Sequence, residues 1–111
     1  MNAGSRCQQR HRAVTDLLRF TDEAAELAAR GKPAYRADHM LQLAALAIII
    51  RIGEAAARVP DDVRLSYPAV AWRQIVGMRN RLVHDDDVVD YELVWEVIER
   101  KAPELRTGLG G

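Results

Sequence analysis

Residues 34–59 read AYRADHMLQLAALAIIIRIGEAAARV, and this stretch decides the fold class. Leu43, Leu46, Ala47, Ile50 and Ala57 recur at helical spacing, and the adjacent Ile48 and Ile49 widen the apolar arc. The pattern predicts a central helix from about Ala34 to Val59. Upstream, Val14, Leu17, Leu18, Thr21, Ala25 and Ala28 mark one face of a helix over residues 8–30, ended by Gly31 and Lys32-Pro33. Downstream, PDDVRLSYP (60–68) reads as a connection, with Pro68 suited to the first turn of a third helix that runs to Leu82. HDDDVVD (84–90) interrupts the pattern, and Asp90 is a fair N-cap for a fourth helix with Leu93, Val94, Val97 and Ile98 facing inward. Pro103 and the terminal GLGG predict a loose end. No segment alternates as a strand would, so the expectation is an all-α, up-and-down bundle of four to five helices. It forms one domain over 1–111, with residues 1–7 and 104–111 flexible.

The chain has 111 residues, of which 49% are hydrophobic and 29% charged, enough to bury one core. Sixteen basic residues balance sixteen acidic ones, so there is no molecule-wide positive field and any nucleic-acid binding must be local. Residues 1–58 carry nine basic and six acidic residues and residues 59–111 seven and ten, so the two halves complement each other. Cys7 is the single cysteine, which rules out a disulfide framework or a multi-cysteine metal site within one chain and fits a cytoplasmic location. The start, MNAGSRCQQRHR, lacks the apolar core of a secretion signal. The longest apolar run, Leu43 to Ile50, is eight residues against the roughly 20 a membrane span needs, so none is expected. His11 and His39 sit in polar surroundings, no His and Cys spacing resembles a zinc site, and no cofactor is expected.

Two charges interrupt the apolar stripes. On a helical wheel Arg79 falls within about 20° of Trp72, between Val76 and Ile75, and Glu54 within about 20° of Leu43. An arginine in mid-stripe needs a partner, and the simplest expectation is that Glu54 and Arg79 meet across packed helices as a buried ion pair. On that expectation Glu54→Ala would cost about 3 kcal/mol. The pair would serve helix register, or it would hold Arg79 with its remaining donors free to take a phosphate. His84 lies about 140° around the wheel from Arg79, whereas Asn80 and Arg73 share its face and could form one polar edge with it. Arg79 and His84 converge only if the helix ends near Val83 or if a second subunit supplies the partner. A histidine at a helix end beside three aspartates otherwise reads as a capping group in a solvated ion pair.

The segment IGEAAARVPDDVRLSYPAVAWRQIVGMRNRLVHDDDVVDYELVWEVI (52–98) resembles the HepT-like branch of the HEPN superfamily. PAVAWRQIVGMRNRLVH (68–84) and VDYELVWEVI (89–98) carry most of the likeness. DLLRFTDEAAELAARG (16–31) and RADHMLQLAALAIIIRIGEA (36–55) are similar to the family's first and second helices. The resemblance implies a dimeric helical bundle in which the arginine and histidine motifs of two subunits line one cleft. It also implies the toxin half of a toxin–antitoxin pair, partnered by a minimal nucleotidyltransferase, with metal-independent ribonuclease activity on RNA. Its motif residues correspond to Arg79, Asn80 and His84, with Glu54 and Arg73 supporting them. Cleavage through a ribose 2′-hydroxyl needs a base, an acid and a cation for the phosphorane. One histidine per chain could supply both proton transfers in a two-fold dimer.

The family motif continues after the histidine with any residue and then tyrosine, the group that the partner adenylylates in relatives. Here that position is Asp86, and Tyr91 stands five residues later. Asp85, Asp86 and Asp87 would repel RNA from the phosphate site, although they would also raise the His84 pKa. The alternative expectation is therefore a catalytically weakened module that binds a nucleotidyltransferase or RNA without cleaving it.

Overall fold

The computed structural model describes residues 3–82 and 88–111, with side chains from Arg12 onward. Every regular element among them is helical: α1 (Ala3–Ala28), α2 (Lys32–Ala37), α3 (His39–Ala57), α4 (Asp61–Leu65), α5 (Trp72–Leu82), α6 (Tyr91–Glu96) and α7 (Ala102–Gly108). A π-helical turn, Val97–Lys101, joins α6 to α7. The fold is all-α, as the periodicity predicts. Helix α3 is central, packed between α1 and α5, and the α6–α7 rod closes the core behind it.

The expected central helix is two helices. Asp38 is extended (φ −128°, ψ 104°) and its carboxylate caps α3 by accepting from the Met40 amide at 2.9 Å. Gln42 Nε2 donates back to the carbonyls of Tyr35 (3.3 Å) and Arg36 (3.4 Å), satisfying the end of α2 across the break. Tyr35 is fully buried; its hydroxyl donates to the Tyr91 carbonyl at 2.8 Å and its ring packs on Trp95 at 4.9 Å. That contact fastens α2 to α6. Outside it, the exposed Arg36 guanidinium forks onto Glu92 at 2.5 and 3.2 Å.

The apolar stripes face differently from the wheel assignment. On α1 the buried residues are Ala13, Leu17, Phe20, Thr21, Ala24 and Leu27, whereas Val14, Leu18 and Ala28 are half-buried and Ala25 is exposed. On α3 they are Ala45, Ile48, Ile49, Ile52, Gly53, Ala55 and Ala56. Leu43, Ala47 and Ala57 of the expected stripe are exposed, and Leu46 and Ile50 are half-buried. Because α3 is apolar around most of its circumference, periodicity alone could not choose which arc meets the core. Helix α3 is long and apolar enough to cross a membrane by length and composition (mean hydropathy 1.7 over its apolar window). It is nevertheless the core helix of this bundle, carries Arg51 and Glu54, and has only 33% of that window buried.

In the connection after α3, Arg64 on the short α4 donates through Nε to Val59 O (3.1 Å) and through Nη2 to Ala56 O (3.0 Å). Ala56 is in the last turn of α3 and Val59 lies just beyond its cap, where a cation also meets the negative end of the helix dipole. Trp72, the first residue of α5, lies 5.7 Å under the same guanidinium and donates from its indole N–H to Arg64 O at 3.2 Å. The third helix starts at Trp72 rather than at Pro68 because Tyr67 to Ala71 are held by tight turns, Val70 N to Tyr67 O and Trp72 N to Val70 O.

At the other end, Asp90 caps α6 as expected, accepting from Leu93 N at 3.0 Å. Val94, Val97 and Ile98 are buried and Leu93 half-buried. The Ala102 amide reaches five residues back to Val97 O, widening the turn ahead of Pro103, whose ring would clash with the carbonyl four residues before it. Pro103, from which a loose end was expected, thus sits in the first turn of α7, and Leu105 and Leu109 are buried against the core. Arg106 pairs with Asp22 of α1 to hold this end in place.

Arg64→Ala is expected to lower unfolding stability by about 2 kcal/mol, within the range for hydrogen bonds made by a charged group, in chemical denaturation; Arg64→Lys should recover less than half. Burial, with the Glu92, Tyr91 and Asp90 charges adding to it, pushes the Tyr35 hydroxyl up to about 12. The folded protein therefore resists ionisation that the unfolded chain undergoes near 10, so this contribution is intact below pH 10 and lost as pH rises toward 12. In denaturation profiles over that window, Tyr35→Phe should show a smaller alkaline fall in stability than the parent.

Candidate functional site

Helix α5 has the sequence WRQIVGMRNRL, three arginines with no acidic residue. Ile75, Met78 and Leu82 are buried and turn the helix so that Arg73, Val76, Arg79, Asn80 and Arg81 are exposed. Its close seat on α3 is at Gly53, where an added Cβ would stand 3.6 Å from Ile75 O and 3.8 Å from Val76 O. A Cβ there would be in ordinary contact with the α5 backbone, so the two helices pack directly at this point.

Arg73 and Asn80, expected on one polar edge, are both exposed and two helical turns apart on α5. The Asp90 amide bonds Leu82 O at 2.9 Å, tying the start of α6 to the end of α5 on either side of residues 83–87. His84 and the Asp85-Asp86-Asp87 run lie outside the described residues.

The expected buried ion pair does not form. Glu54 and Arg79 are both exposed, and no ion pair joins them among the described residues. The reason is the rotation of the stripes: Glu54 shares the outer arc of α3 with Leu43, Ala47 and Ala57, and the buried arc of α5 is centred on Ile75, Met78 and Leu82. Arg79 thus lies beside the apolar arc, in water, where it needs no carboxylate and is open to an anion. Val76, one turn before it on α5, is an exposed apolar residue.

A second group of arginines, on α1 and α3, escaped the reading of the sequence. Arg12 and Arg19 are seven residues apart on α1, and Arg51 and Arg58 seven apart on α3. That shared interval, two helical turns, was the available signal.

Comparison with known proteins follows this geometry. The family model for HepT-like ribonucleases (Ribonuclease HepT-like) matches residues 12–109, and the chain belongs to that family. A protein of Methanocaldococcus jannaschii named a putative RNase is 40% identical over 55 residues, 50% of this chain and 47% of that protein. A putative RNase of Caldanaerobacter subterraneus subsp. tengcongensis is 41% identical over 54 residues, 49% of this chain and 48% of the relative. A probable ribonuclease HepT of Thermococcus cleftensis is 30% identical over 69 residues, 62% of this chain and 63% of the relative. The matches to the first two span about half the length of those relatives. No solved structure matches the chain.

With both groups in water, Glu54→Ala should change unfolding stability by no more than about 0.5 kcal/mol, the norm for a surface substitution. A loss near the 3 kcal/mol typical of a broken buried pair in urea denaturation would restore the buried pairing.

Proposed function

We propose that the chain is an endoribonuclease that acts as a homodimer, the toxin of a toxin–antitoxin pair whose partner is a minimal nucleotidyltransferase, working in the cytoplasm. The observation that carries this reading is the family match over residues 12–109, with the motif arginine, Arg79, exposed on α5 and the motif histidine, His84, following in the chain. An arginine in water can take a phosphate bidentately without first giving up a carboxylate. In this mechanism the His84 imidazole of one subunit removes the 2′-hydroxyl proton, and the oxygen attacks the adjacent phosphorus. The second subunit's imidazole protonates the departing 5′-oxygen, while Arg79 neutralises the phosphorane. Asn80 and Arg73 would hold the flanking backbone, and the chemistry calls on no metal.

The outer face of α3 and α5 supports a dimer. Leu43, Ala47 and Val76 are exposed and Ile50 half-buried on two adjacent helices, a strip that a two-fold partner would cover with its own copy. Because Arg79 lies beside that strip, pairing across it would bring two motifs to one cleft.

The Asp85-Asp86-Asp87 run favours a second reading, a module that binds a nucleotidyltransferase or RNA without cleaving it, since three carboxylates beside the motif histidine oppose an RNA backbone.

The test is cleavage of single-stranded RNA in EDTA by the wild type and by His84→Ala, with the mass of each in solution. The expected outcome is activity in the wild type, a loss of about 10²-fold or more in the variant, as for removal of a general acid–base, and a dimer that Leu43→Arg converts to monomer. A monomeric wild type, or equal activity in both proteins, overturns the shared-site mechanism; inactivity in both favours the binding module.

A further inference from the structure

The groove between α1 and α3 is basic along half its length. Arg19 and Arg51 lie over one ring, that of Phe20, with their guanidinium carbons 5.1 and 5.9 Å from its centroid. One stretch further along, Arg12 of α1 and Arg58 of α3 line the same cavity, about 580 Å³, together with Asp16. The helices run antiparallel here, so the four arginines form two facing pairs, separated by two helical turns or about 10 Å. Asp16 is the one carboxylate lining that cavity among the described residues, and it pairs with Arg19 at 3.5 Å. Arg12, Arg51 and Arg58 have no carboxylate partner among the described residues, and all three are exposed. The other half of the groove carries both signs: Glu23, Glu26 and Arg30 line a cavity of about 570 Å³ there with Leu27, Leu41 and Ile48.

We propose that the basic half of this groove is a phosphodiester track for single-stranded RNA, in which Arg12, Arg51 and Arg58 hold the strand outside the cleavage site. The proposal rests on the ribonuclease reading above and adds to it where the substrate lies. The pairs are about 10 Å apart, more than one phosphate spacing of an extended single strand, so each pair can grip a separate phosphate. The Phe20 ring under Arg19 and Arg51 holds two of the guanidinium groups from below and leaves their edges to the strand. Helix α3 alone separates this groove from α5, so the track flanks Arg79 across one helix width, about 10 Å. The arginines lie on the α1 side of α3, away from Gly53.

The experiment uses the full chain carrying His84→Ala, so that RNA is bound and not consumed, and reads the anisotropy of a labelled oligouridine as salt is varied. Adding Arg51→Gln and Arg58→Gln should weaken binding about tenfold and reduce the slope of log affinity against log salt by about 1.4, that is ~0.7 for each single-strand phosphate no longer neutralised. Arg12→Gln, on the opposite wall, should give half that change in slope, and Arg51→Lys with Arg58→Lys should recover the slope. Thermal melting of each variant within a degree or two of the parent shows that the fold is intact and that the change in affinity belongs to the groove. Unchanged affinity and slope in the glutamine variants, with RNA still cleaved by the protein carrying His84, overturns the track and leaves the ribonuclease reading standing. Failure of the parent to bind RNA, with no cleavage by the protein carrying His84, overturns both.

Discussion

The fold turns on the joint made by Arg64. One guanidinium bonds the Ala56 carbonyl in the last turn of α3 and the Val59 carbonyl just beyond it, and lies over the Trp72 ring that begins α5, while the Trp72 indole returns a hydrogen bond to the Arg64 carbonyl. Helix ends leave carbonyls that must find donors, and here the donor belongs to the connection that reverses the chain. The angle between α3 and α5 is therefore set by the same bonds that end α3. The exposed arginines of α5 take their place from that angle and from the close seat at Gly53.

A second constraint follows from the composition of α3. A helix that is apolar around most of its circumference cannot bury all of itself in a bundle of this size, and only a third of its most apolar window is buried. The remainder, Leu43 and Ala47 among it, faces outward, and Val76 of α5 is exposed as well. Removing such a strip from water is favourable in proportion to its area, and this is the physical basis for the proposed dimer. Charged residues share this outer surface: Glu54 lies on the same arc of α3, Arg51 and Arg58 lie toward α1, and Arg79 is exposed on α5.

Candidate site residues could be named from the sequence because chemistry-bearing residues stand close together in the chain: Arg73, Arg79, Asn80 and His84 fall within twelve positions. The proposed partnership of Glu54 with Arg79 was the reading that failed. It depended on placing the core at the centre of each apolar arc, and an arc as wide as that of α3 has no usable centre. The break at Asp38 and the role of Arg64 were also missed, since capping and carbonyl closure depend on where the chain turns in space. Asp90, by contrast, could be read as a cap because an acidic break precedes it and an apolar period follows it.

The amino-acid sequence by itself determined the all-α class and the family, because helical period and short-range spacing are properties of neighbouring positions. Only the tertiary structure decided which arc of α3 meets the core, that Glu54 and Arg79 both stand in water, and that arginines 39 residues apart in the chain, Arg12 and Arg51, share one groove. The physical reason is that a helix nearly apolar all round is equally at home in several rotations. Its orientation is chosen by its neighbours, through Gly53, Arg64 and the packing of α1, and those contacts join residues that the linear order keeps apart.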